Sequence, residues 1–129
     1  MAKTRAEALQ ELFEEAHHNN IIIHCDEQAQ QLLDWAAQQE GAPPEHYQAV
    51  TIGDDIFVRP EFAQDVRVLR EELLHAYQQR AGLRTDRVLE AEIDARWQMI
   101  RFRHQWAISN DEVRVLIVEI RHIRKTGRY

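Results

Sequence analysis

Residues 61–82, EFAQDVRVLREELLHAYQQRAG, decide how the rest of the chain is arranged. Phe62, Val66, Leu69, Leu73 and Tyr77 recur every three or four residues, the spacing that aligns side chains along one side of an α-helix. The run therefore reads as a helix that begins near Glu61 and is closed by Gly82. Glu71, Glu72 and His75 fall at i, i+1 and i+4 of it. One turn then gathers two carboxyls and an imidazole beside the apolar stripe, at the edge of a cleft.

Toward the N-terminus, VTIGDDIFVRP (residues 50–60) places two apolar stretches around Gly53, Asp54 and Asp55, the pattern of a β-hairpin or of a strand with a bend, ended by Pro60. GAPPEHYQ (residues 41–48) is the clearest loop, because prolines donate no hydrogen bond and push the preceding residue out of helical geometry. Thr4 and Glu7 form a capping-box pattern for a first helix to about His18, whose terminal His17 and His18 suit the helix dipole. Ile21, Ile22 and Ile23 read as a short buried strand with Cys25 beside it, and Asp26 caps a second helix that Gly41 stops.

Toward the C-terminus, Leu89, Ile93, Trp97 and Ile100 define a fourth helix. Ser109 with Glu112 forms a second capping box ahead of Val113, Leu116, Ile117 and Ile120, and the tail RKTGRY reads as frayed. Trp35, Trp97 and Trp106 are assigned to the core, where a large ring adds buried area. The sum is an α+β domain, helix-rich with about five helices and a small β-sheet or hairpin.

With 129 residues, 44% of them hydrophobic, the chain is long enough for one core and too short for two ordinary ones, so residues 1–129 read as a single domain. A formal net charge of -6 argues against nucleic acid as a partner, since a phosphate-binding face needs clustered Lys and Arg. One cysteine excludes an internal disulfide and a Cys-rich zinc module. No apolar run approaches the roughly 18 residues of a membrane span, so membrane insertion is not expected. The opening MAKTRAEALQ lacks the apolar stretch of a signal peptide; the expectation is a cytoplasmic protein, or a module exported as part of a larger secreted one. No phosphate-cradling glycine loop, Gly-x-Ser-x-Gly elbow or Cys/His nucleophile pair is present, which leaves nucleotide and acyl-enzyme chemistry without support.

The turn from Glu71 to His75 points instead to a cation. Residues four apart on a helix can share a small ion, and a carboxylate between them can act on water. In the metalloprotease pattern His-Glu-x-x-His, the histidines hold zinc and the glutamate is the general base; here Glu71 stands where the first histidine would be. A carboxylate in that place is a harder ligand than imidazole and moves the preference toward manganese or iron.

The run VLREELLHAYQQRAG, after IFVRP and before EAEIDARWQMI, resembles the zincin-like metallopeptidase domains of bacterial polymorphic toxins, over about residues 50–125. In that family a Glu-Glu-x-x-His segment followed by Gln faces a downstream Glu-x-Glu-Ala segment. Those elements correspond here to Glu71–His75 with Gln78, and to Glu92, Ile93, Asp94 and Ala95. The resemblance implies a minimal zincin-like fold, His75 as a metal ligand, Glu92 as the ligand from the next helix, Glu71 as a further contact and Glu72 as general base. It also implies zinc, with manganese or iron as alternatives, a peptide or protein substrate, and a cognate immunity protein.

Two other readings use the same residues. In the first, the domain is a non-catalytic binding or regulatory module without metal: Glu71 and Glu72 are solvated, Arg67 and Arg70 form local salt bridges, and His75 bonds a backbone carbonyl. In the second, Glu-x-x-His at Glu14/His17, Glu15/His18, Glu72/His75 and Glu119/His122 marks a ferritin-like di-metal carboxylate site built from Glu72, His75, Glu92, Glu119 and His122. Arg59 is a candidate to stabilise an oxyanion or to pair with Glu71, with a structural ion pair as its simpler role. His24 and His46 lie within reach of a cation without a motif to recruit them.

Overall fold

Each helix start that the sequence marks with a capping residue is found there. Thr4 closes its capping box with Glu7 and opens α1 (Arg5–His18); Asp26 accepts from the Ala29 amide and opens α2 (Glu27–Glu40). Ser109 closes a second box with Glu112 and opens α5 (Asn110–Thr126). These side chains satisfy amides that the first helical turn leaves without intrahelical partners. The structure is a computed structural model that describes residues 3–82 and 88–127.

Between α1 and α2 lies β1 (Ile22–His24); after α2 come β2 (Ala49–Ile52) and β3 (Asp55–Val58). β2 and β3 form an antiparallel hairpin that pairs Ile52 with Asp55, turned at Gly53, whose φ of 62° is one that residues with a Cβ rarely adopt. β1 runs parallel to β3, giving the order β1-β3-β2. Ile56 and Val58 of β3 are buried and alternate with Asp55 and Phe57, as the two-residue period of a strand requires. The expected strand over Ile21–Ile23 is shifted by one residue and is not buried throughout. Ile21 packs into the core just before β1, whereas Ile22 is exposed, because β1 is an edge strand and its successive side chains take opposite faces.

The decisive helix, α3 (Val66–Arg80), starts later than its periodicity predicts. Pro60–Phe62 form a separate 3-10 turn, and Asp65 Oδ1 then accepts from the Val68 amide at 3.1 Å, restarting the helix at Val66. Val68, Leu69, Leu73 and Ala76 join Leu12 and Ala16 of α1 and Ile56 and Val58 of β3 in one apolar cluster. Val66 and Leu74 join Ala95 and Met99 of α4 (Val88–Arg101) and Leu116 of α5 in a second. α3 is thus the shared wall of both clusters. Among the described residues the chain forms five α-helices and one three-stranded mixed sheet, the helix-rich α+β class read from the sequence.

Three expectations are corrected. The buried face of α4 is Glu92, Ala95, Arg96 and Met99, while Trp97, assigned to the core, is 44% exposed beneath the Arg124 guanidinium. Trp35 is 58% exposed on α2, and Trp106 is half-buried with the Arg70 guanidinium 4.4 Å above its ring. The tail is not frayed at Arg124–Thr126: these residues end α5, Thr126 donates to the His122 carbonyl at 2.7 Å, and Gly127 caps the helix at φ 66°. The rest of the tail, Arg128 and Tyr129, lies outside the described residues.

Removing the Asp65 cap should loosen the first turn of the helix that both clusters share. Asp65→Ala is expected to lower unfolding free energy by about 1 kcal/mol, seen in urea titration as a lower midpoint at unchanged slope. An unchanged midpoint would mean that the cap does not hold α3.

Candidate metal centre

Because α3 is buried on most of its surface, Glu71, Glu72 and His75 are not on a solvated edge; each is met by a neighbouring element. His75 Nε2 lies 3.3 Å from Glu92 Oε1 on α4. Its Nδ1 lies 2.8 Å from Gln78 Oε1, and the same amide directs its nitrogen at the Ala91 carbonyl (3.1 Å) and Asp94 Oδ2 (2.8 Å). Those two acceptors fix which end of the amide is nitrogen, so its oxygen accepts from Nδ1–H and Nε2 is the atom presented to Glu92. At Nδ1 the imidazole is therefore met by a side-chain amide and not by the expected backbone carbonyl. Gln78 is the residue that orients the ring, as outer partners of metal-binding histidines do.

Glu72 turns the other way, toward the sheet. Thr51 Oγ1 of β2 is 2.6 Å from its Oε2 and 3.0 Å from its carbonyl oxygen. Burial, reinforced by the charge of Glu71, lifts its carboxyl to about 7, although His75 and the Thr51 hydrogen bond oppose the rise. Burial also raises Glu71, with Arg96 as the main opposing influence. For His75 burial favours the neutral ring, but the hydrogen bond and charge of Glu92 prevail and raise it to about 9. Glu92 is held below the ordinary carboxylate value: burial works against this, and the His75 and Arg96 contacts outweigh it.

Glu71, His75 and Glu92 each offer a ligand atom, and these atoms lie within 4.8 Å of one another. Among the described residues this is the one group of three acidic or imidazole donors so placed. The donor chemistry fits a divalent cation, with one imidazole whose outer nitrogen is already committed and two carboxylates from different helices. Glu72 lies beside the group, engaged with Thr51. All four residues line a cleft of about 820 Å³ whose lining also includes Ala49 and Val50 of β2.

Arg96, which carries no motif, sits in the middle of this cluster. It is 4% exposed; Nη1 is 2.6 Å from Glu92 Oε2 and 3.4 Å from Glu71 Oε1, and Nη2 is 3.3 Å from Glu119 Oε2 on α5. The Glu92/Arg96 spacing of four residues was readable as an ion pair in the sequence. The apolar residues of α4 drew the helix face elsewhere.

The remaining candidates do not join the group. Glu119 reaches it only through Arg96, and His122 is exposed, so the five residues of the two-metal reading are not gathered around one point. Arg59 pairs with Asp34 (2.7 Å) and donates to the carbonyls of Tyr47 and Pro44, bracing the loop after α2 rather than Glu71. His24 stacks on Phe57 and contacts Asp55 at 2.9 Å. His46 lines the cleft away from the donor group. Of the local salt bridges expected on α3, Arg67 approaches Glu71 at 3.9 Å, and Arg70 turns to Glu15 of α1 at 2.9 Å.

No family model, curated protein or solved structure matches the chain.

In the metal-free protein the site makes stability fall as pH rises above the ordinary carboxylate range, where the lowered Glu92 is already ionised in both states. Glu72 is raised from 4.5 to about 7 and His75 from 6.5 to about 9, so between each pair of values the folded state holds a proton that the unfolded state has released. Each contribution is complete below the unfolded value and lost as pH passes the folded one. Thermal midpoints in the presence of a chelator should decline from pH 5 to pH 9. Glu72→Gln should flatten the acidic half of the decline and His75→Gln the alkaline half, whereas a rise across this range would contradict the assigned contacts.

Proposed function

We propose that the chain is a metal-dependent hydrolase of peptide-like bonds, in which His75, Glu92 and Glu71 hold a divalent cation and Glu72 is the general base. The observation that carries this reading is the meeting of Glu71 and His75 on α3 with Glu92 on α4, all three donor atoms within 4.8 Å. Zinc is the first candidate cation, and the two carboxylates in the set make manganese or iron the alternatives.

When bound, the cation supplies Lewis-acid polarisation of the scissile carbonyl and makes water more acidic. Glu72, whose carboxyl burial raises in the metal-free protein, takes a proton from the attacking water and returns it to the leaving amine. Thr51 holds the Glu72 carboxyl in place, and Gln78 keeps the imidazole turned toward Glu92. The cleft along β2 receives the chain to be cut. On the resemblance to toxin effector modules, the substrate is a peptide or protein, a cognate immunity protein covers the cleft, and the module acts in the cytoplasm or travels within a larger exported protein. No helix among the described residues is long and apolar enough to cross a membrane.

One observation favours a second reading, a binding or regulatory domain without metal. The Arg96 guanidinium contacts both Glu71 and Glu92, and the His75 ring, raised to about 9, faces Glu92, so two positive charges of the chain itself already meet the two carboxylates.

Metal analysis separates the two. Protein purified without chelator should carry about one equivalent of a transition metal, and less than about a tenth in a folded sample would favour the second reading. With labelled unfolded casein as the substrate, Glu72→Gln should keep the metal and lose roughly a hundredfold or more in rate. His75→Ala should lose both.

A further inference from the structure

Arg96 brings a permanent positive charge to oxygens that a metal would use, since a guanidinium does not release its proton in a protein. Its shortest contact is with Glu92 Oε2 at 2.6 Å, and Glu71 Oε1 lies at 3.4 Å. Both carboxylates belong to the candidate donor group. On the other side of the same guanidinium, Glu119 is under-used. Its Oε2 is 3.3 Å from Arg96 Nη2, and its Oε1 is buried without a hydrogen-bond partner among the described residues. A guanidinium fork matches both oxygens of a carboxylate at once, so Glu119 has the capacity to take more of Arg96 than it now holds.

We infer that Arg96 is a tethered counter-cation. It clamps Glu92 and Glu71 when no metal is bound, and it transfers its contact to both oxygens of Glu119 when a metal takes those carboxylates. This inference rests on the metal-centre reading. The transfer is short because Nη2 already lies at Glu119, and in either position the buried guanidinium keeps an anionic partner. Arg96 therefore competes with the metal, and Glu119 relieves the competition by receiving it. Arg96 and Glu119 are positioning residues that set how readily the centre is loaded.

The test is a double-mutant cycle read as Zn²⁺ and Mn²⁺ affinity by titration calorimetry, with circular dichroism to confirm folding. Arg96→Met should bind the ions more tightly, by about tenfold or more, because an adjacent positive charge is gone. Glu119→Gln should bind them several-fold more weakly, and should have little effect in the Arg96→Met background, where there is nothing to receive. Weaker binding by Arg96→Met would make Arg96 an orienting partner of the ligands and overturn the inference. So would an equal loss from Glu119→Gln in both backgrounds, which a simple field effect predicts. If Arg96→Met does not fold, Arg96→Lys takes its place: it keeps the charge but cannot bridge Glu92 and Glu119, and it should likewise shrink the effect of Glu119→Gln. Failure of every folded form, the unmodified protein included, to bind either ion overturns the metal-centre reading itself, an outcome distinct from binding that lacks the opposed effects.

Discussion

Every charged group that α3 carries toward the interior has to be met by a partner from another element, and this constraint fixes what surrounds the helix. Arg70 reaches Glu15 of α1, and the Tyr77 hydroxyl donates to the same carboxylate at 2.5 Å. Glu72 is met by Thr51 of β2, and Glu71 and His75 are met by Arg96 and Glu92 of α4. Breaking one partner of such a buried pair typically costs about 3–5 kcal/mol, because the charge left behind can neither hydrate nor pair. The placement of α1, β2 and α4 around α3 is thereby set by charge matching as well as by packing.

The same pairs contribute less to net stability than to arrangement. Burying an ion pair removes hydration from both charges, and its attraction often only offsets that loss. The apolar clusters on the two sides of α3, from Leu12 and Ile56 to Met99 and Leu116, supply the stabilisation. A polar layer between two apolar ones is thus held under tension: Glu72 and Glu71 are pushed toward their protonated forms, and His75 toward its charged one. All three hold their protons more tightly than usual, while Glu92 beside them is shifted the other way, so neighbouring groups lining one cleft are set apart in proton affinity.

What the sequence disclosed and what it hid divide along the same line. Thr4, Asp26, Ser109, Gly41 and the Gly53 turn act on backbone groups within a few residues of themselves, and each was legible without knowledge of the fold. The turn bearing Glu71, Glu72 and His75 was legible for the same reason, and Glu92 became visible through the resemblance of two adjacent segments. The exposed Trp35 and Trp97, the orienting role of Gln78 and the central place of Arg96 were not. Each depends on a residue far away in the chain or on the rotation of a helix about its axis, and an amphipathic pattern assumes that polar side chains face water. On α4 that assumption fails, since Glu92 and Arg96 are buried against partners on α3 and α5.

The rotation of α4 can be decided by comparing two energies. Successive residues are about 100° apart around a helix, so turning α4 by one residue would carry Trp97 inward. The gain is bounded by the exposed remainder of one large side chain, about 1.5–3 kcal/mol even for complete burial of such a residue. The same turn would draw Glu92 away from His75 and Arg96 away from Glu71, leaving charges of α3 buried without partners at about 3–5 kcal/mol for each broken pair. The loss exceeds the gain, so α4 keeps its acid and its guanidinium inside and leaves a tryptophan outside. The exposed ring of Trp97 and the meeting of Glu92 with His75 are therefore one structural fact, fixed by an orientation of α4 that also buries Ala95 and Met99 in the apolar cluster.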